Sequence, residues 1–292
     1  MEKQPTYIET YGALTPPESN PGVGWLTRLI VNLFLGGKDC WAARAGNPQE
    51  APLIDMVAKL CPKMGIQTPP ELIIYTSQQP NAASITGGKV VVSEKLLSIM
   101  TPEEVESVMG HELAHHRHGL RDTVAIYGGV IAGDYAYQKT LSPKLTRLID
   151  GVKNARAKMA LYIAKPVMEF LGFVGLINLY QQKIEYESDR ESGLVTGHPE
   201  VMADALNALG DYGNKMHQQE RLERRARMSD AEKVVTDTVE KIEPKWVRRI
   251  LRNPFEVLGS HPPIKLRVEA LKAQEAQMHP DKATLPDASV IR

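Results

Sequence analysis

Residues 111–115 of this 292-residue chain read His-Glu-Leu-Ala-His, ten positions after a well-marked helix start. Two histidines four apart constrain the fold, because their chemistry depends on the backbone that carries them. In a strand their Cα atoms would stand roughly 13 Å apart. On a helix they share one face and can reach one point. The flanking residues choose the helix. Thr101 offers a hydroxyl N-cap, Pro102 suits the first helical position, and Glu104 completes a capping box. Apart from Gly110, nothing breaks the pattern before Gly119.

On such a helix His111 and His115 can offer two imidazole nitrogens to one metal at about 2.0–2.1 Å. Glu112 projects beside them, placed to take a proton from an attacking water. The alternative is a helix with exposed His and Glu and no metal. A catalytic zinc site needs a third protein ligand and an open position. The only cysteines are Cys40 and Cys61, so a thiolate site is excluded and the third ligand is a carboxylate or histidine. His116 points about 100° away from His115. His118 shares the face of His111 but lies two turns along, as a supporting or packing residue. Glu185 and Asp189 stand four apart in Lys183–Asp189. That spacing can give one carboxylate to the metal and another to orient a ligand imidazole. A solvated acidic face is the alternative.

The rest of the chain reads as a small α+β protein, mostly helical. Residues 1–24 carry four prolines and no apolar run, which predicts a flexible N-terminal arm without a secretory signal. Trp25–Leu35 is an amphipathic helix that either packs on the domain or lies in an interface, followed by a linker to residue 48. A helix lined by Leu53, Val57 and Leu60 follows. Glu71–Tyr75 and Lys89–Val92 are short strand candidates, predicting a small antiparallel sheet beside the His-Glu-x-x-His helix, with TSQQPNAAS as a polar turn. A helical insert is expected at about 120–180, with Leu145, Leu148, Ile149 and Val152 on one face. Residues 272–292 read as a flexible tail. Balanced charge, 35 basic against 35 acidic residues, excludes a broad basic nucleic-acid face. The cysteine count makes a cytoplasmic location the default.

Four ordered features make residues 50–271 resemble the HtpX-like zinc metallopeptidases, in the gluzincin family that includes the CaaX prenyl proteases. They are Asn81-Ala82 before KVVV, GHELAHHRHG at 110–119, EYESD at 185–189, and Ser260-His261-Pro262-Pro263 followed by Arg267. The resemblance implies a metallopeptidase domain at 49–271 with one Zn2+ per chain. It implies His111, His115 and Glu185 as ligands, Glu112 as general base and Asp189 as the group orienting a ligand histidine. It places Asn81 and Ala82 on the cleft rim and makes the strand holding Val90 and Val91 the edge that pairs with a polypeptide substrate. It puts His261 near the oxyanion and makes Arg267 an anchor for the C-terminal helix.

Two departures stand out. Ser188 replaces the family's usual alanine. Family members of the HtpX type also carry transmembrane helices, two before the domain and two between the His-Glu-x-x-His helix and the third ligand. Here the second apolar stretch, Met159–Tyr180, contains Lys165, Pro166 and Glu169. A central charge costs about 2.5–3.5 kcal/mol on insertion scales. A helical insert in water or lying against a membrane is therefore expected, so peripheral membrane contact stays open. The expected activity is endopeptidase action on unfolded or membrane-associated proteins. A latent or inactive zinc-stabilised binding module is the rival. Nothing in the sequence fixes the oligomeric state.

Overall fold

The computed structural model describes residues 4–18, 22–85, 87–229, 232 and 262–280. The chain divides into two compact units. One takes in the residues up to His118, then Tyr186–Arg227 and the residues from Pro263, and the other takes in Gly119–Glu185.

The first unit begins with a helix the sequence did not announce. In the segment expected to be irregular, α1 (Tyr7–Tyr11) has its own capping box. Glu9 donates its backbone N–H to the Thr6 hydroxyl, and its carboxylate accepts from Thr6 N at 2.7 Å. Tyr7 is fully buried, donates its hydroxyl to Gln49 O at 2.8 Å, and gives its N–H to Met100 O at 2.7 Å. Next come α2 (Trp25–Leu35), β1 (Cys40–Ala42) and α3 (Ala51–Lys63). Glu50, just before α3, is fully buried and accepts from Trp41 Nε1 and from the backbone and guanidinium of Arg44.

The sheet contains β2 (Glu71–Tyr75), β3 (Ala82–Ile85) and β4 (Lys89–Ser93), in the order β1-β2-β4-β3. The β1–β2 and β3–β4 pairs are antiparallel, but β2 and β4 run parallel. This corrects the expected antiparallel pairing of the two apolar strands. The stretch read as a polar turn holds β3, which runs along the outside and returns through Gly87 and Gly88, at φ +86° and +71°. That excursion brings β4 back in the direction of β2. Alanine and serine carry weak strand preference, so β3 was invisible to propensity. β2 and β4 lie within the sheet and are covered on both faces, which explains continuous apolar runs instead of alternation. One face of the sheet, with Leu72, Ile74, Val90 and Val92, joins the main core. Ile73, Tyr75 and Val91 on the other face meet Val23 and Val31.

The α2 stripe does not pack as core. The helix buries Thr27 and Val31, and exposes Trp25, Leu26, Leu29, Leu33 and Phe34. After α4 (Glu94–Ile99) comes α5 (Pro102–Asp150), which starts at the expected capping box. Glu104 donates its N–H to Thr101 Oγ1, and its carboxylate accepts from Thr101 N at 2.8 Å. α6 (Ala155–Thr196), α7 (Pro199–Arg227) and α8 (Ile264–Met278) complete the described elements. α7 buries Met202, Ala205 and Leu206, and α8 packs on α7. α8 continues to Met278, so the first part of the expected tail is helical.

The second unit is built on the later part of α5 and the earlier part of α6. Gly119 and Ser142-Pro143 do not divide α5, which runs on to Asp150. Its inward stripe is Ser142, Leu145 and Ile149, whereas Leu148 points out. The pairing of Lys165 with Glu169 is formed at 3.2 Å. Lys165 also donates to Ser142 Oγ, and Tyr137 donates to Glu169 Oε1. Among the described residues, no helix is long and apolar enough to cross a membrane.

The burial of Tyr7 makes α1 part of the core. Tyr7→Ala should cost about 3 kcal/mol or more, and Tyr7→Phe about 1 kcal/mol for the lost hydrogen bond. Urea midpoints of the two variants would show it, and an unchanged midpoint for Tyr7→Ala would place α1 outside the core.

Candidate metal centre

The centre is assembled from residues early in α5 and late in α6. A Cβ at Gly110 would sit 3.0 Å from Ser192 Oγ and 3.5 Å from Ser192 Cα, so only glycine fits without displacement. Ser192 is fully buried and donates its hydroxyl to Ser107 O at 2.6 Å. This small-on-small contact stands one residue before His111 and brings Ser188 and Asp189 onto the histidines.

His111 and His115 occupy adjacent turns with rings 4.6 Å apart and nearly perpendicular. Their Nε2 atoms converge to 3.0 Å. Nδ1 of His111 lies 2.9 Å from Asp189 Oδ1. A carboxylate only accepts, so the His111 proton sits on Nδ1 and the lone pair on Nε2. Ser188 Oγ stands 3.4 Å from His115 Nδ1. Asp189 in turn takes a bidentate pair of hydrogen bonds from Arg267, both at 2.6 Å. Burial pushes the Asp189 carboxyl up, but the hydrogen bonds from Arg267 and His111 outweigh it and leave it below its ordinary value. Asp189 and Arg267 are both buried, so each depends on the other.

Glu185 is buried four residues before Asp189, and one ligand atom from each of His111, His115 and Glu185 lies within 4.8 Å of the others. Two imidazoles and a carboxylate form the donor set of a catalytic zinc site. The tautomer fixed by Asp189 points a lone pair inward, so the residues present fit such an ion. Glu112 is buried alongside, and its Oε2 accepts the backbone N–H of Ser84 at 2.7 Å.

Other sequence expectations fare differently. His118 does not join the metal cluster. Its Nε2 lies 2.9 Å from Glu191 Oε1, which also accepts from Arg117, while Arg117 donates to Met64 O. That is a packing role. Asn81 exchanges hydrogen bonds with Ser93, and Ala82 opens β3. Val90 and Val91 cannot pair with substrate: both are fully buried, and β4 has strands on both sides. The edge strands are β1 and β3, and the one beside β4 is β3, so the expected edge at 89–92 is corrected: on that side of the sheet the open edge is 82–85. His261 lies outside the described residues. Arg267 anchors α8 as expected, but it does so through the carboxylate that holds His111. Sequence reading missed Ser84, Gly110 and Ser192. Ser84 had no sequence signal, while the lone glycine inside the helix pattern was a visible mark of close approach.

A His-Glu-x-x-His helix with a downstream glutamate on a second helix, beside a small sheet, is the framework of a gluzincin-type metallopeptidase. The model of peptidase family M48 matches residues 47–275, and the chain belongs to that family of metallopeptidases. It is similar to the protease HtpX homolog of Campylobacter concisus, 32% identical over 186 residues, which cover 60% of this chain and 62% of that protein. It also resembles the protease HtpX homolog of Sulfurovum sp., 28% identical over 237 residues, covering 76% of this chain and 75% of the relative. A third relative is the protease HtpX of Psychrobacter sp., 31% identical over 173 residues, covering 56% of this chain and 55% of that protein. The chain thus spans less than two thirds of the first and third of these relatives.

The contact from Asp189 to His111 gives a direct expectation. Asp189→Asn should weaken zinc affinity about 10–100-fold, read by competition with a chromogenic chelator. Unchanged affinity would show that the carboxylate does not tune the ligand.

Proposed function

We propose that this chain is a zinc-dependent endopeptidase in which Glu112 is the general base. The observation that carries this reading is the convergence of His111 and His115 Nε2 beside Glu185, with Glu112 held next to them by Ser84. When bound, zinc supplies a Lewis acid that acidifies water and stabilises developing negative charge. His111, His115 and Glu185 would hold it, and Asp189 would keep His111 in its ligating tautomer.

Glu112 takes the proton from water as it attacks the peptide carbonyl, then passes that proton to the leaving amine. Ser84 N–H occupies Oε2, which leaves Oε1 to carry the proton. A substrate chain lies along β3 by strand addition, with Asn81 and Ala82 at the rim. The resemblance to the family supports His261 as the group nearest the oxyanion. The names of the relatives support proteolysis, the family resemblance supports unfolded or membrane-associated polypeptides as substrates, and the low cysteine count supports a cytoplasmic site of action.

Glu112→Gln should lower kcat/KM on an unfolded protein such as casein by about 10²–10⁴ and retain one zinc per chain by elemental analysis. A variant that still cleaves at the original rate would overturn the assignment. Chelation should abolish hydrolysis and added zinc should restore it.

A further inference from the structure

The turn between α5 and α6 carries a charge pattern that the peptidase reading does not use. Residues 139–158 hold six cations, Lys139, Lys144, Arg147, Lys153, Arg156 and Lys158, against one acid, Asp150. That acid is already engaged. Tyr162 donates its hydroxyl to the Asp150 carboxylate at 2.7 Å, and Lys158 pairs with it at 3.2 Å. Among the described residues, no carboxylate is paired with Lys144, Arg147, Lys153 or Arg156, and all four are exposed.

Bulky apolar side chains stand among these cations. Leu141, Lys144 and Leu148 follow i, i+3, i+7 spacing and form one outward stripe on α5. Arg156, Met159 and Ile163 repeat that spacing on α6. Leu141 is 58% exposed, Leu148 72%, Met159 68% and Ile163 66%. The inward side of the same helices holds a polar cluster, Tyr137, Ser142, Lys165 and Glu169 bonded to one another, beside the aliphatic Leu145 and Ile149. The hairpin therefore keeps a polar cluster inside and shows aliphatic side chains outside.

We infer that this hairpin end is a docking surface for an anionic lipid bilayer, bound peripherally with its leucines and methionine at the headgroup boundary. The interleaving favours lipid over an acidic polypeptide or nucleic acid. A bilayer surface takes up aliphatic side chains and neutralises lysines and arginines within a few ångströms of each other. A nucleic acid would leave four large aliphatic groups against phosphate. The same cations argue against crossing, because a segment rich in Lys and Arg resists translocation. This surface stands independently of the peptidase reading.

The test is co-sedimentation of the full chain with phosphatidylcholine vesicles, with and without about one third phosphatidylglycerol, at low and high salt. Binding should require phosphatidylglycerol, weaken in salt and be released by alkaline wash. The triple variant K144E/R147E/R156E should weaken partitioning on the order of tenfold or more. L148S/M159S should weaken it at unchanged net charge. Thermal melting controls for folding, and hydrolysis of a soluble peptide reads catalysis separately. Retention of phosphatidylglycerol binding by both variants would overturn the proposal, as would retention on the membrane after alkaline wash. Binding to poly-aspartate but not to vesicles would reassign the surface to acidic polypeptides and overturn it as well.

Discussion

The buried chain from Arg267 through Asp189 to His111 holds the centre together. A carboxylate in this interior is costly without a partner, and so is a buried guanidinium. Their bidentate pairing at 2.6 Å settles both, and Oδ1, which takes one of these bonds, also faces His111 Nδ1. Three elements distant in sequence, α5, α6 and α8, are thereby fixed at one point. The C-terminal helix is thus coupled to the ligand geometry, and a change at Arg267 acts on His111 without touching it.

That electrostatic chain needs close helix approach, which a run of small residues supplies. Gly110 lies against Ser192, and Gly193 lies against Pro199, where an added Cβ would meet the ring at 3.0 Å. α6 is crowded on successive residues, one contact facing α5 and the other facing the start of α7. Its rotation is therefore set by backbone contact, which is stiffer than side-chain packing. The acid run 185–189 inherits its orientation from this contact.

Much of the centre was legible because its information is local. His111, Glu112 and His115 are fixed by one helix register, and Thr101 to Glu104 announce that helix. Asp189 was legible by its spacing from Glu185, and Arg267 by the residues that precede it. What escaped the sequence reading is tertiary. β3 is built from alanine, serine and one isoleucine, and exists because β4 gives it a partner. α1 owes its helix to Tyr7 filling a core position beside Gln49 and Met100. The apolar stripe of α2 has the period of a packed helix, but period alone does not say which face turns inward; Thr27 and Val31 do. His118 shares the periodicity of the metal ligands, and the nearby Glu191 takes it.

The position of β4 between two strands has a consequence for chemistry. With both edges of β4 paired, the proposed strand addition falls to β3, whose Ser84 N–H already holds Glu112. A charge-assisted bond from a backbone amide to a carboxylate is stronger and shorter than a neutral one, so Glu112, the proposed base, is tied to β3. The position of β3 thereby helps to set the position of the Glu112 carboxylate. Gly87 and Gly88 form the turn between β3 and β4, and Asn81 is hydrogen-bonded to Ser93 at the other end. Both ends of β3 are therefore held by the sheet, Asn81 through Ser93 and Gly88 through the N–H of Glu71. In the proposed mode, alignment of Glu112 with the scissile bond therefore follows from how the polypeptide seats on β3, because the strand that receives it is the strand that holds the carboxylate.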